Sequence, residues 1–106
     1  MDGIATLFHG ETRIYSIVEG GHALNYELTK HARDVLEERE IALEWMERVL
    51  ANPALIERSA TQPELENRFA KIAEFGDRVL RVVVNTQVVP ERVVSVYFDR
   101  RMKGKL

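Results

Sequence analysis

Residues 78–98 read RVLRVVVNTQVVPERVVSVYF. Two runs rich in β-branched residues, Arg78–Asn85 and residues 92–99, flank a turn-forming stretch that contains Pro90. Branched side chains are stiff at χ1 and suit a pleated strand better than a helix. A short connection between two such runs predicts an antiparallel pair. Period-two alternation then assigns faces. Leu80, Val82 and Val84 share one side of the first run, and Val94, Val96 and Phe98 share one side of the second. These sets predict the buried side. Val79, Arg81 and Val83, with Val93, Ser95, Tyr97 and Asp99, fall on the other. That places Arg81, Ser95 and Tyr97 on a half-polar surface, joined by Lys71 if its strand keeps the phase of Phe69 and Phe75. An ordinary solvated sheet face carries the same pattern.

Upstream, Gly76-Asp77 reads as a hairpin turn. Residues 67–75 alternate as a strand, 60–64 form a loop and 55–59 a short strand. Before Pro53 the period changes from two to 3.6. Met46, Val49 and Leu50 form one stripe of a helix from about Leu43 to Ala51, with Trp45 flanking it, and Asn52-Pro53 ends it. An earlier helix follows Thr29, whose hydroxyl suits an N-cap. Val35 and Leu36 lie on its expected buried stripe, and His31 borders that stripe one turn from Val35. Glu40-Ile41-Ala42 breaks the rhythm. The predicted fold is α+β: two N-terminal helices packed on one face of a three- to four-stranded antiparallel sheet.

Residues 26–106 are expected to form this single domain, with a basic C-terminal tail. Residues 1–25 read as an N-terminal extension. Residues 4–8 and 13–18 suit two strands around His9-Gly10-Glu11, with Gly20-Gly21 as a joint, so the extension is either an added hairpin or a stretch ahead of a misassigned start.

A chain of 106 residues, 45% hydrophobic and 30% charged, has a globular composition. It holds no cysteine, which excludes disulfides, thiolate metal sites and cysteine nucleophiles, and suits a reducing cytoplasm. No apolar run approaches membrane-spanning length, and no membrane partner is expected. Net charge is −2, but its distribution is uneven. Residues 27–66 carry 5 Lys/Arg against 10 Asp/Glu, whereas residues 78–106 carry 7 against 2. That asymmetry predicts a basic face or a solubilising tail on an acidic body. His9, His22 and His31 lack metal-ligand spacing, and the chain has neither a Gly-rich phosphate loop nor a readable Ser-His-Asp arrangement, so no metal or cofactor is expected.

The stretch YELTKHARDVLEEREIALEWMERVLANP resembles the opening of domain-of-unknown-function family 4258. His31-Ala32, Glu38-Arg39, Ile41 and Asn52-Pro53 fall in place, and LRVVVN with RVVSVYFDRRMKG resembles the closing strands. The resemblance covers about residues 26–104. Many members carry Arg where this chain has Val35, and Gly where it has Glu40. The family is similar in layout to the RelE/ParE/BrnT toxins, small proteins that include metal-independent endoribonucleases acting alone or on the ribosome and held inactive by an antitoxin.

The resemblance therefore implies RNA or the ribosome, and an antitoxin, as partners. Metal-free RNA cleavage needs a base, cations for the phosphorane-like transition state and an acid. With the face assignment, this nominates His31, Arg81 and Tyr97 as catalytic. Arg33, Arg68, Lys71, Arg100 and Arg101 are nominated as nucleic-acid contacts. Simpler roles compete: His31 donating to a loop carbonyl, Arg39 paired with a helix carboxylate, Arg81 paired with Asp99. The alternative function is a non-catalytic interaction module that pairs through a sheet edge with a partner or with itself as a homodimer.

Overall fold

The computed structural model describes residues 12–19 and 22–106. Strands β1 (Thr12–Glu19) and β2 (His22–Thr29) come first. Helices α1 (Lys30–Glu38) and α2 (Leu43–Ala51) follow, then β3 (Leu55–Arg58), β4 (Leu65–Ile72), β5 (Arg78–Asn85) and β6 (Glu91–Phe98). All six strands form one sheet in the order β1-β2-β6-β5-β4-β3.

This corrects the expected architecture in two ways. The helices are not N-terminal, because a strand pair precedes them. The sheet is mixed and six-stranded, because β2 lies parallel to β6 while the other neighbours are antiparallel. The reason lies in HALNYELT. Tyr26 and Leu28, two residues apart, are both fully buried on the helix-covered face, with Val93 beside Leu28. The expected boundary at residue 25 falls inside β2. Residues 13–18 lie in β1, and the strand expected at 4–8 lies outside the described residues.

Local chemistry explains the helices. Thr29 caps α1, its Oγ1 accepting from the Ala32 N–H at 3.1 Å. Ala32 and Leu36 are the buried positions of α1, and Val35 is only half-buried at the rim. The helix closes in a Schellman motif: Ile41 N–H donates to the Leu36 carbonyl at 2.8 Å, and Glu40 N–H to the Glu37 carbonyl at 3.2 Å. Helix α2 buries Met46, Val49 and Leu50, as the sequence predicts. Its Glu44 and Arg48 complement the helix dipole at either end.

Helix α1 lies over β6 and β2, and α2 over β4 and β5. Leu80, Val82, Val84 and Val96 form the strand side of this core. Burying each such side chain contributes roughly 1.5–3 kcal/mol. The expected role of Val94 is corrected by a bulge. Val83 faces Ser95 but Val84 faces Val93, so Val94 is the extra residue and Val93 takes the buried place. Strand β4 runs Leu65–Ile72 rather than 67–75, because residues 73–75 coil into a 3₁₀ turn. Gly76 and Asp77 then turn the chain with φ of 65° and 57°, as a tight hairpin requires. Phe69, Lys71, Val79 and Arg81 share the helix-free face, the phase expected for Lys71.

Candidate functional site

The sheet splits where β2 gives way to α1. Parallel pairing of β2 with β6 ends at Leu28 opposite Val93, and Thr29 then turns the chain into α1. Beyond that point β6 keeps β5 on one side and no described strand on the other. The gap is a cavity of about 520 Å³ between α1 and the second half of β6.

Its walls follow from helix spacing. His31, Val35 and Arg39 succeed one another every four residues along α1 and all line the cavity. From the sheet come Ser95, Val96, Tyr97 and Phe98, with Arg78 at the start of β5 and Arg100 just past β6. Phe75 closes one end. It lies 5.2 Å from Phe98 and 5.4 Å from Trp45, centroid to centroid. The Arg78 guanidinium sits 4.9 Å from the Phe75 ring centre and 5.6 Å from that of Phe98. These distances suit cation–π attraction and hold the group at the rim.

The electrostatics are one-sided. The wall contains one imidazole, three guanidiniums and no carboxylate. Arg39, Arg78 and Arg100 pair with no carboxylate among the described residues. His31 is exposed, and no described group holds its ring by a hydrogen bond. Arg39 and Arg78 were missed as site residues by sequence reasoning. The signal for Arg39 was its place eight residues after His31 on one stripe. Arg78 shares the parity of Leu80 and Val82 and therefore faces the helices.

The other nominated residues are dispersed. Tyr97 lines the cavity, and Arg81 lies behind it on the helix-free face, where an Nη of Arg81 donates to the Tyr97 hydroxyl. Arg81 also approaches Asp99 at 3.5 Å and stacks 5.0 Å from the Phe69 ring centre. Arg33 lines a separate cavity on the opposite flank of α1, with Arg13 and Glu37. Arg68 is nearly buried and donates to Glu66 at 2.7 Å, to both Glu91 carboxylate oxygens at 3.0 Å and to the Leu50 carbonyl at 3.1 Å. It ties α2 to the sheet. Lys71 is exposed on the helix-free face, and Arg101 leans on Asp99 at 3.4 Å. Among the described residues no group of three His, Asp or Glu side chains could hold a metal ion. No described helix is long and apolar enough to cross a membrane.

Fold and cavity together define an α+β domain in which two helices cover one face of a mixed sheet and leave a basic cleft where the sheet splits. Residues 28–98 match the family described as "Domain of unknown function (DUF4258)", and the chain belongs to that family. The match contains the cavity-lining residues from His31 to Phe98. Neither the curated proteins nor the solved structures include a match to this chain.

Proposed function

We propose that this protein is a toxin-like RNA-binding domain of the RelE/BrnT kind, and that RNA lies in the cleft beside α1. The observation that carries the reading is the set of three guanidiniums and one imidazole on one cavity without a carboxylate. Phosphodiesters are the polyanions that such a wall suits. Arginine grips phosphate oxygens with two parallel N–H donors. The Phe75–Phe98 pair offers flat apolar surface for an unstacked base, and such surface favours single strands over duplex.

The same cleft carries metal-independent chemistry. His31 takes the proton of a 2′-hydroxyl, the 2′-oxygen attacks the adjacent phosphorus, and the 5′-oxygen leaves. The products are a 2′,3′-cyclic phosphate and a free 5′-hydroxyl. The leaving 5′-oxygen takes its proton from solvent, because the Tyr97 hydroxyl is held by Arg81 on the helix-free face. Arg39, Arg78 and Arg100 stabilise the charge that builds on phosphorus. Arg81 thus positions Tyr97 rather than gripping phosphate. The absence of cysteine suits action in a reducing cytoplasm.

The test is binding and cleavage of an end-labelled single-stranded RNA by purified protein in excess chelator. Binding is expected to weaken about tenfold for Arg39→Ala and again for Arg100→Ala, since charge-assisted hydrogen bonds are worth about 1.5 kcal/mol or more each. Cleavage is expected to vanish in His31→Ala with binding nearly intact. Wild-type protein that binds no RNA would overturn the reading. Binding without a cyclic-phosphate product would leave an RNA-binding domain and remove the catalytic role of His31.

A further inference from the structure

Arg100 reaches the cleft from a turn built around one buried carboxylate. Strand β6 ends at Phe98, whose ring packs on the helix side, 5.2 Å from Phe75 and 6.3 Å from Trp45, centroid to centroid. Asp99 follows on the other side of the sheet. Its side chain is only 5% exposed and lies 3.5 Å from Arg81. Three hydrogen bonds centre on this residue. Its N–H donates to the Val79 carbonyl at 2.9 Å, its carbonyl accepts from Met102 N–H at 3.1 Å, and its Oδ1 accepts from Arg101 N–H at 3.0 Å. The last of these is a capping bond, with Asp99 as N-cap of the 3₁₀ turn Arg100–Met102. In such a turn neighbouring side chains point about 120° apart. Arg101 is drawn back toward Asp99, its Nε 3.4 Å from Oδ1. Arg100 therefore points elsewhere, and it lines the cleft. Asp99 stands next to Arg100 in the sequence, yet its ion pairs go to Arg81 and Arg101.

We infer that Asp99 is a positioning residue of the cleft: by capping the turn after β6 it fixes the backbone that aims Arg100 at a phosphate of the ligand, while its own charge faces Arg81 and Arg101 behind the sheet. A guanidinium on a fixed backbone loses less freedom on gripping a phosphate than one on a loose tail. Asp99 thus raises affinity without touching the ligand. The sign of this effect is opposite to that of charge. The chain has a net charge of −2, and removing a carboxylate one residue from Arg100 makes the surroundings less negative. Charge alone therefore predicts tighter binding of a polyanion to Asp99→Ala. Positioning predicts weaker binding. Asp99→Ser separates the two, because a serine hydroxyl caps about as well as a carboxylate and carries no charge. As a claim about RNA, the inference rests on the reading of the cleft as an RNA site. The shape of the turn does not.

The probe is the end-labelled single-stranded RNA, titrated against wild type, Arg100→Ala, Asp99→Ala, Asp99→Ser and the double variant of Asp99→Ala with Arg100→Ala. Asp99→Ala is expected to weaken binding by up to about tenfold, the loss expected for Arg100→Ala, and to flatten the salt slope by about 0.7, one phosphate contact. Asp99→Ser is expected to bind at least as tightly as wild type. The double variant is expected to bind no worse than Arg100→Ala alone, since the cap acts only through that side chain. Damage to the fold would instead add to the loss. Amide exchange reads the turn without any ligand. Arg101, Met102 and Lys103 are expected to exchange faster in Asp99→Ala and at the wild-type rate in Asp99→Ser, with Val82 of β5 reporting any change in the fold as a whole. Asp99→Ala binding RNA as tightly as wild type, a loss in Asp99→Ser equal to that in Asp99→Ala, or additive losses in the double variant would overturn the inference and leave the RNA reading standing. Unchanged exchange in the turn of Asp99→Ala would overturn it whether or not RNA binds. If wild type binds no RNA while the turn opens only in Asp99→Ala, the RNA reading falls and Asp99 remains the residue that sets Arg100.

Discussion

Glu40 occupies a backbone position that suits a residue without a β-carbon. It is the first residue beyond the Arg39 cap of α1, with φ of 54°, in the left-handed region. An L-residue there costs roughly 1–2 kcal/mol. The Schellman bonds and the buried contact partners Leu36 and Ile41 hold it in place. A glycine at this position would therefore have a local backbone reason and would not mark a ligand contact. Glu40→Gly is expected to stabilise the fold by about 1 kcal/mol, less than the full conformational cost because glycine also loosens the unfolded chain. Urea unfolding should show a higher midpoint at unchanged slope. A lower midpoint would mean that the Glu40 side chain contributes something the backbone argument leaves out. At this same scale Arg39 was legible only as a charge near the end of a helix. Its value comes from the empty wall opposite, and a sequence does not show which carboxylates fail to arrive.

Among elements, the helices and the last two strands were legible because each is specified locally. Thr29, the stripe of Met46, Val49 and Leu50, and the valine runs all act within a few residues of themselves. The mixed sheet was not legible. The β2–β6 pairing joins residues some 65 apart and spans three residue pairs, from Tyr26 with Glu91 to Leu28 with Val93. Nothing in HALNYELT specifies parallel over antiparallel. The bulge was hidden for a similar reason: two valines at 93 and 94 serve either face equally. One contact between elements has a pH signature. Arg48 of α2 binds Glu74 in a bidentate pair at 3.0 and 2.9 Å, fastening the helix to the turn after β4. The guanidinium holds the Glu74 carboxyl down at about 2, against an ordinary 4.5. A carboxyl depressed in the folded state stabilises it fully above the ordinary value and loses that contribution as pH falls toward the folded one. The stability difference between wild type and Glu74→Gln should therefore be largest at neutral pH and shrink between about 4.5 and 2. Both groups are solvent-exposed, so added salt should reduce it as well. A difference that stays constant down to pH 2.5, followed by urea midpoints, would mean that the pair does not fasten α2.

At the scale of the whole molecule, a chain of net charge −2 brings three arginines without a carboxylate partner, Arg39, Arg78 and Arg100, to one cleft. Three other arginines are spent on structure: Arg68 on Glu66 and Glu91, Arg92 on Glu27 at 2.7 Å, Arg48 on Glu74. This division gives a measurable contrast between two ways of holding RNA. Binding to phosphates releases counterions, and log K falls against log salt with a slope of about −0.7 per contact on a single strand. If Arg39, Arg78 and Arg100 each hold one phosphate, the wild-type slope is expected near about −2, and Arg39→Ala with Arg100→Ala should bring it to about −0.7. Attraction by the C-terminal tail predicts the reverse pattern. Arg101 is 81% exposed, and Lys103 and Lys105 are exposed beside it, so Lys103→Ala with Lys105→Ala would then flatten the slope while the cleft variants left it unchanged. A titration from 50 to 300 mM salt on the three proteins separates the two patterns. A slope that follows the tail variant would remove the cleft from RNA binding and assign the RNA contact to the C-terminal lysines.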